Sequence, residues 1–215
     1  MYTLPNILTL SRILAIPAVV ALFYIPGPVS QWIACALFVA AAVTDWFDGW
    51  LARRWNQVSS LGRFLDPIAD KLLVAAVLLM LVGFDGLSTW SYLPAVVILC
   101  REILVSGLRE FLAEIQVSVP VTKLAKWKTT FQLVALTLLI LGDSAPWGVP
   151  AGLAGEVALW IAALMTVVTG WDYMTHGLFH MKETDRRRAE AEAEADRAAA
   201  DRAAAANDLH REAGE

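Results

Sequence analysis

A chain of 215 residues suffices for one domain, and at 58% hydrophobic and 18% charged it is more apolar than soluble domains, which average about 45–50% apolar. The mean hydropathy of +0.56 points the same way, to lipid as the solvent. The formal net charge of −4 conceals a segregation: residues 1–181 are mostly apolar, residues 182–215 are packed with Arg, Glu, Asp and Ala, and no nucleic-acid partner is expected. Cys35 and Cys100 both lie inside apolar runs, which excludes a disulfide framework and a thiolate metal site.

Apolar stretches near the length that crosses a bilayer core recur at roughly 7–25, 31–51, 66–84, 91–112, 128–143 and 153–176. The first is followed by no small-residue cleavage site and is read as retained, not as a removed leader. Pro26-Gly27-Pro28, Gly83-Phe84-Asp85-Gly86 and Gly142-Asp143-Ser144-Ala145-Pro146 punctuate the series. The expected fold is therefore all-α, an integral membrane bundle of six transmembrane helices with a cytoplasm-facing polar cavity.

Orientation follows from the cations. The connections around 26–30, 84–90 and 143–152 contain no Lys or Arg, whereas Arg53, Arg54, Arg63, Lys123, Lys126 and Lys128 occupy the others. Both termini and the 52–65 and 113–127 connections are expected in the cytoplasm. Trp32, Trp90, Trp147 and Trp171 lie near span ends, as interface anchors do. Residues 1–181 read as the membrane domain and 182–215 as an exposed, partly helical, charged Ala-rich cytoplasmic tail.

The chemistry concentrates between residues 45 and 70, DWFDGWLARRWNQVSSLGRFLDPIAD. Asp45 and Asp48 are three apart and Asp66 and Asp70 four apart, so each pair projects from one helical face. Two neighbouring antiparallel helices would bring all four to one space at the cytoplasmic boundary. Carboxylates crowded there repel and resist desolvation unless a cation neutralises them. Mg²⁺ and similar hard cations take oxygen ligands, and a metal pair among carboxylates suits phosphoryl transfer. Gly49 follows Asp45 by one turn and Gly62 precedes Asp66 by one turn. Helical glycine costs about 1 kcal/mol relative to alanine, so two of them suggest close approach of a flat ligand. Ala52 continues the small face and Arg53 suits phosphate oxygens. A cation- or proton-coupled transporter also uses intramembrane carboxylates, but spread over several depths. Here the middles of spans one, three, five and six carry none.

The pattern Asp45-x2-Asp48-Gly49-x2-Ala52-Arg53-x8-Gly62-x3-Asp66-x3-Asp70 resembles the complete signature of the CDP-alcohol phosphatidyltransferases. The resemblance covers essentially residues 1–180. PNILTLSRI at 5–13, AVTDWFDGWLARRWNQ at 42–57, REILVSGLREFLAE at 101–114 and KWKTT at 126–130 resemble the bacterial branch whose acceptor is sn-glycerol 3-phosphate. What the resemblance implies is transfer of the phosphatidyl group of CDP-diacylglycerol to that acceptor, with release of CMP, in phospholipid biosynthesis. Phosphatidylglycerol or an inositol phosphate as acceptor stays open. It further implies two Mg²⁺ or Mn²⁺ ions on Asp45, Asp48, Asp66 and Asp70, with Asp70 also the catalytic base. Asp48, Gly49, Ala52, Arg53 and Gly62 would surround the cytidine and diphosphate of the CDP-lipid. The expected assembly is a homodimer in the bacterial cytoplasmic (inner) membrane, among membrane lipid.

A phosphorylated acceptor needs cations. Arg109 and Lys126 are the first candidates for its phosphate, followed by Arg101 and Lys128; all four also suit anchoring to lipid headgroups. Arg101 lies deep in an apolar run, where a lone cation is costly, so it is expected to pair with Glu102 or to face the cavity. Arg12 lies within reach of the same space. Lys71 is expected to serve packing or headgroup contact, and His176 and His180 to be interfacial.

Overall fold

The computed structural model describes residues 4–55, 60–115 and 123–212, among which the chain is helical without a strand. The helices are α1 (Leu4–Phe23), α2 (Pro28–Trp55), α3 (Ser60–Gly83), α4 (Tyr92–Glu114), α5 (Lys123–Leu141) and α6 (Ala151–Glu212). In lipid, backbone polar groups must be satisfied within the segment, which turns long apolar runs into helices. Among the described residues, three stretches are long and apolar enough to cross a membrane: Thr89–Glu114, Leu124–Ser144 and Ala151–Glu194. Shorter apolar stretches, Leu8–Phe23 and Pro28–Thr44, lie in α1 and α2. Leu79, Leu93, Ile103 and Leu164, on α3, α4 and α6, are each more than half exposed. A soluble surface does not carry apolar side chains on this scale, and the bundle is membrane-embedded. Trp90 and Trp171 are exposed as well, as interface residues are.

Inside, α1 packs against α2 and α3, α5 packs against α2 and α6, and α6 also packs against α4. Because α1 sits against both, α2 and α3 meet each other only over a short stretch. Gly155 allows α5 and α6 to approach closely, since a Cβ there would stand 2.7 Å from Leu139 Cγ.

The interior is divided lengthwise. Val19, Phe38, Val77, Leu81, Ile98, Leu136 and Leu159 belong to an apolar core. Thr9, Arg12, Lys128, Gln132, Thr166 and Thr169 are buried polar residues. Along α1 and α5 these polar positions precede the apolar core, and along α6 they follow it, as up-and-down packing of successive helices requires. A separate polar cluster closes the other end: Glu156 accepts hydrogen bonds from Ser88 N (2.7 Å), Ser88 Oγ (2.6 Å) and Ser91 Oγ (2.8 Å). Both cysteines are free thiols.

The charged segment after residue 181 continues α6 without a break to Glu212. Adding residues to a formed helix escapes the cost of nucleation. Ala-rich sequence then suffices, helped by the ion pairs Arg187–Glu183 (3.1 Å) and Arg186–Glu190 (3.3 Å).

Candidate active site

Asp66 and Asp70 stand one turn apart on α3. Thr9, fully buried on α1, donates its hydroxyl to Asp66 Oδ1 at 2.5 Å. That bond fixes the Asp66 carboxylate and ties α1 to α3. Arg12 is buried one turn beyond Thr9 on the same helix. Gly62 is buried in the first turn of α3. Asp45, Asp48, Gly49, Ala52 and Arg53 fall in the last turns of α2, and their side chains lie outside the described residues.

Asp70 lines a small cavity of about 80 Å³ together with Lys71, Glu102, Lys128, Thr129 and Gln132. Lys128 is 4% exposed and donates to Glu102 Oε1. A buried ammonium needs such a partner, because unpaired it would lose its hydration with nothing in return. The same carboxylate lies 3.6 Å from Arg101 Nη1. Arg101 Nη2 also donates to Thr169 Oγ1 (3.1 Å), and the guanidinium stands 5.9 Å from the centre of the Tyr173 ring. Gly170 makes room for this crossing: a Cβ there would meet Arg101 Cγ at 3.1 Å. Arg101 thus both pairs with Glu102 and faces a cavity.

That second cavity, of about 270 Å³, is lined by Pro67, Lys71, Arg101, Glu102, Ser106, Arg109 and Glu110 among others. Lys71 and Glu102 line both cavities, which therefore adjoin. Lys71 donates to Pro67 O at 2.8 Å, so its ammonium is held at this junction. Around the two cavities Lys71, Arg101, Arg109 and Lys128 face Asp70, Glu102 and Glu110. Cations are in excess, as a site for a small anion requires. Arg109 is exposed at the outer end of this lining, and Lys126 is exposed on the first turn of α5. His176 is exposed, with Nδ1 2.7 Å from Asp172 O.

Sequence reasoning passed over Thr9, Gln132, Thr169 and Tyr173. A polar residue in an apolar span is the signal that marks each, but Thr9, Thr169 and Tyr173 meet their partners on distant helices, and Gln132 Oε1 has none among the described residues.

Residues 2–168 match the CDP-alcohol phosphatidyltransferase family. The chain is 49% identical over 173 residues to a protein of Rickettsia typhi, covering 80% of this chain and 96% of that one. It is 44% identical over 176 residues to a protein of Escherichia coli K12, covering 81% and 94%, and 42% identical over 217 residues to one of Cereibacter sphaeroides, covering 85% and 98%. All three relatives are named CDP-diacylglycerol–glycerol-3-phosphate 3-phosphatidyltransferase. With the match spanning most of the chain and these relatives aligned over nearly their full length, the chain belongs to the CDP-alcohol phosphatidyltransferase family.

Proposed function

We propose that the chain transfers the phosphatidyl group of CDP-diacylglycerol to sn-glycerol 3-phosphate, giving phosphatidylglycerol phosphate and CMP. The observation that carries this reading is the alignment of relatives bearing that name over almost their whole length. The cation-lined cavity beside Asp70 supports it.

Asp70 accepts the proton of the acceptor's primary hydroxyl. The freed oxygen bonds to the β-phosphorus of the CDP-lipid as the bond from that phosphorus to the oxygen of CMP breaks, and CMP leaves with the electron pair. Arg101 and Arg109, two turns apart on α4, hold the acceptor phosphate from the larger cavity. Lys128 adds positive charge from the smaller one, and Lys126 draws the anion in from solvent. Gly49, Ala52, Arg53 and Gly62, with Asp48, surround the cytidine and diphosphate. Asp66 and Asp70 offer the hard oxygen donors that Mg²⁺ or Mn²⁺ takes. With Asp45 and Asp48 they would hold two such ions, which supply Lewis-acid polarisation of the diphosphate and offset its charge.

The same reading places six spans in the bacterial cytoplasmic membrane, with both termini and the site facing the cytoplasm, residues 182–215 as a tail, and the chain as a homodimer. The test is incubation of purified protein with CDP-diacylglycerol, Mg²⁺ and a panel of alcohols, scoring CMP and lipid products. CMP release with sn-glycerol 3-phosphate is expected. Release only with phosphatidylglycerol or an inositol phosphate would reassign the acceptor, and no release with any alcohol would overturn the reading.

A further inference from the structure

Gln132 lies on α5, one turn beyond Lys128, and is 4% exposed. It lines the small cavity that holds Asp70. Its carbonyl oxygen is enclosed and has no hydrogen-bond partner among the described residues. A primary amide brings two donors and an acceptor into the interior, and burying them without partners is costly. Packing therefore does not account for this residue. Its polar neighbours are already engaged: Lys128 with Glu102, Lys71 with Pro67 O, and Thr129 with Ala125 O on its own helix. Gln132 thus lines the cavity with an amide whose hydrogen-bonding capacity the described residues do not meet, and rotation about its last side-chain bond is enough to present either amide atom to a ligand there.

We infer that Gln132 forms, beside Asp70, a subsite for the secondary hydroxyl of the acceptor polyol. The inference rests on the phosphatidyltransferase reading and adds to it the part of the acceptor between its two ends. A hydroxyl both donates and accepts, as an amide does. The small cavity, about 80 Å³, has room for a short polyol. The adjoining cavity with Arg101 and Arg109 takes the phosphate. An acceptor with the same phosphate and the same primary hydroxyl, but no hydroxyl between them, would leave the amide unpaired. Sites built around a polar partner reject such analogues strongly.

The experiment compares sn-glycerol 3-phosphate with 3-hydroxypropyl phosphate, in the wild-type enzyme and in Gln132→Leu, using CDP-diacylglycerol as donor. The wild type should prefer sn-glycerol 3-phosphate by about a hundredfold in kcat/KM, the upper end of what leaving one buried polar group unpaired costs. In Gln132→Leu that preference should fall to within about threefold, through loss on sn-glycerol 3-phosphate alone. Tm should hold or rise, because leucine buries no polar atom. Equal loss on both acceptors would overturn the inference, as would a wild-type enzyme that does not distinguish them, a result that needs no variant to fold. Wild-type turnover of sn-glycerol 3-phosphate is read in the same assay, so failure of the transferase reading registers separately from failure of the subsite.

Discussion

Removing Glu102 should destabilise the bundle sharply, and removing Lys128 with it should restore most of the loss. The Lys128 side chain is 5% exposed and that of Glu102 17%, so the pair is largely withdrawn from water. Breaking a buried pair by deleting one partner costs about 3–5 kcal/mol, because the remaining charge is stranded. Replacing both partners with apolar residues of similar volume is about neutral. In Glu102→Leu, Lys128 loses its acceptor, and Arg101 loses the carboxylate at 3.6 Å. Asp70 in the same cavity offers Lys128 a second carboxylate, which sets the expectation at about 3 kcal/mol, the low end of that range. For a chain of this size each kcal/mol moves Tm by about 2–4 °C, so Glu102→Leu should melt roughly 6–12 °C below wild type. Glu102→Leu/Lys128→Met should return to within about 4 °C, the equivalent of 1–2 kcal/mol. The assay is thermal unfolding in detergent micelles, followed by intrinsic tryptophan fluorescence. Additive losses, with the double variant lower than either single one, would refute the coupling.

Chelation should abolish transfer, and Mg²⁺ or Mn²⁺ should restore it; full turnover in excess chelator would remove the metal ions from the scheme. Asp70→Asn should lower kcat by roughly 10²–10⁴-fold, as loss of a general base does, while CDP-diacylglycerol binding, measured by equilibrium titration, survives better than in Asp45→Asn. Arg109→Ala should lower kcat/KM for sn-glycerol 3-phosphate about ten- to a hundredfold, equivalent to a charge-assisted hydrogen bond of about 1.5–3 kcal/mol, with the KM for CDP-diacylglycerol moving much less. Lys126→Ala, at an exposed position, should cost under about threefold, because solvent screens its charge. Truncation after Lys182 should leave the specific activity of the folded enzyme intact.

The helices were legible because lipid leaves the backbone few choices. Apolar runs broken by Pro26-Gly27-Pro28 and by the glycines at 83 and 142 become helices ending at Phe23, Gly83 and Leu141. The boundaries moved where a polar segment joined a helix already formed. α3 begins at Ser60, ahead of the apolar run expected from residue 66, and takes Gly62 into the helix. α6 absorbs the charged tail to Glu212. Spacing also identified Asp66 and Asp70 as one turn apart, because that relation is local.

The surroundings of those carboxylates could not be read in the same way, because spacing says which residues share a face but not which faces meet. Thr9 is 57 residues from Asp66, Glu102 is 26 from Lys128, and Arg101 is 68 from Thr169. The sequence does carry a weaker signal: Thr9, Gln132 and Thr169 are polar residues within apolar spans, where each needs a partner or a ligand. Two of the three meet their partners in the folded chain, Thr9 at Asp66 and Thr169 at Arg101. Gln132 meets none among the described residues and, unlike Thr166, whose hydroxyl also lacks a partner, it lines the cavity that holds Asp70. That asymmetry separates polar residues that hold the bundle together from one held ready for a substrate, and it becomes visible only once the helices are packed. The two roles also predict opposite responses to an apolar substitution. Thr9→Val should cost stability by freeing Asp66, whereas Gln132→Leu should cost selectivity and leave stability unharmed.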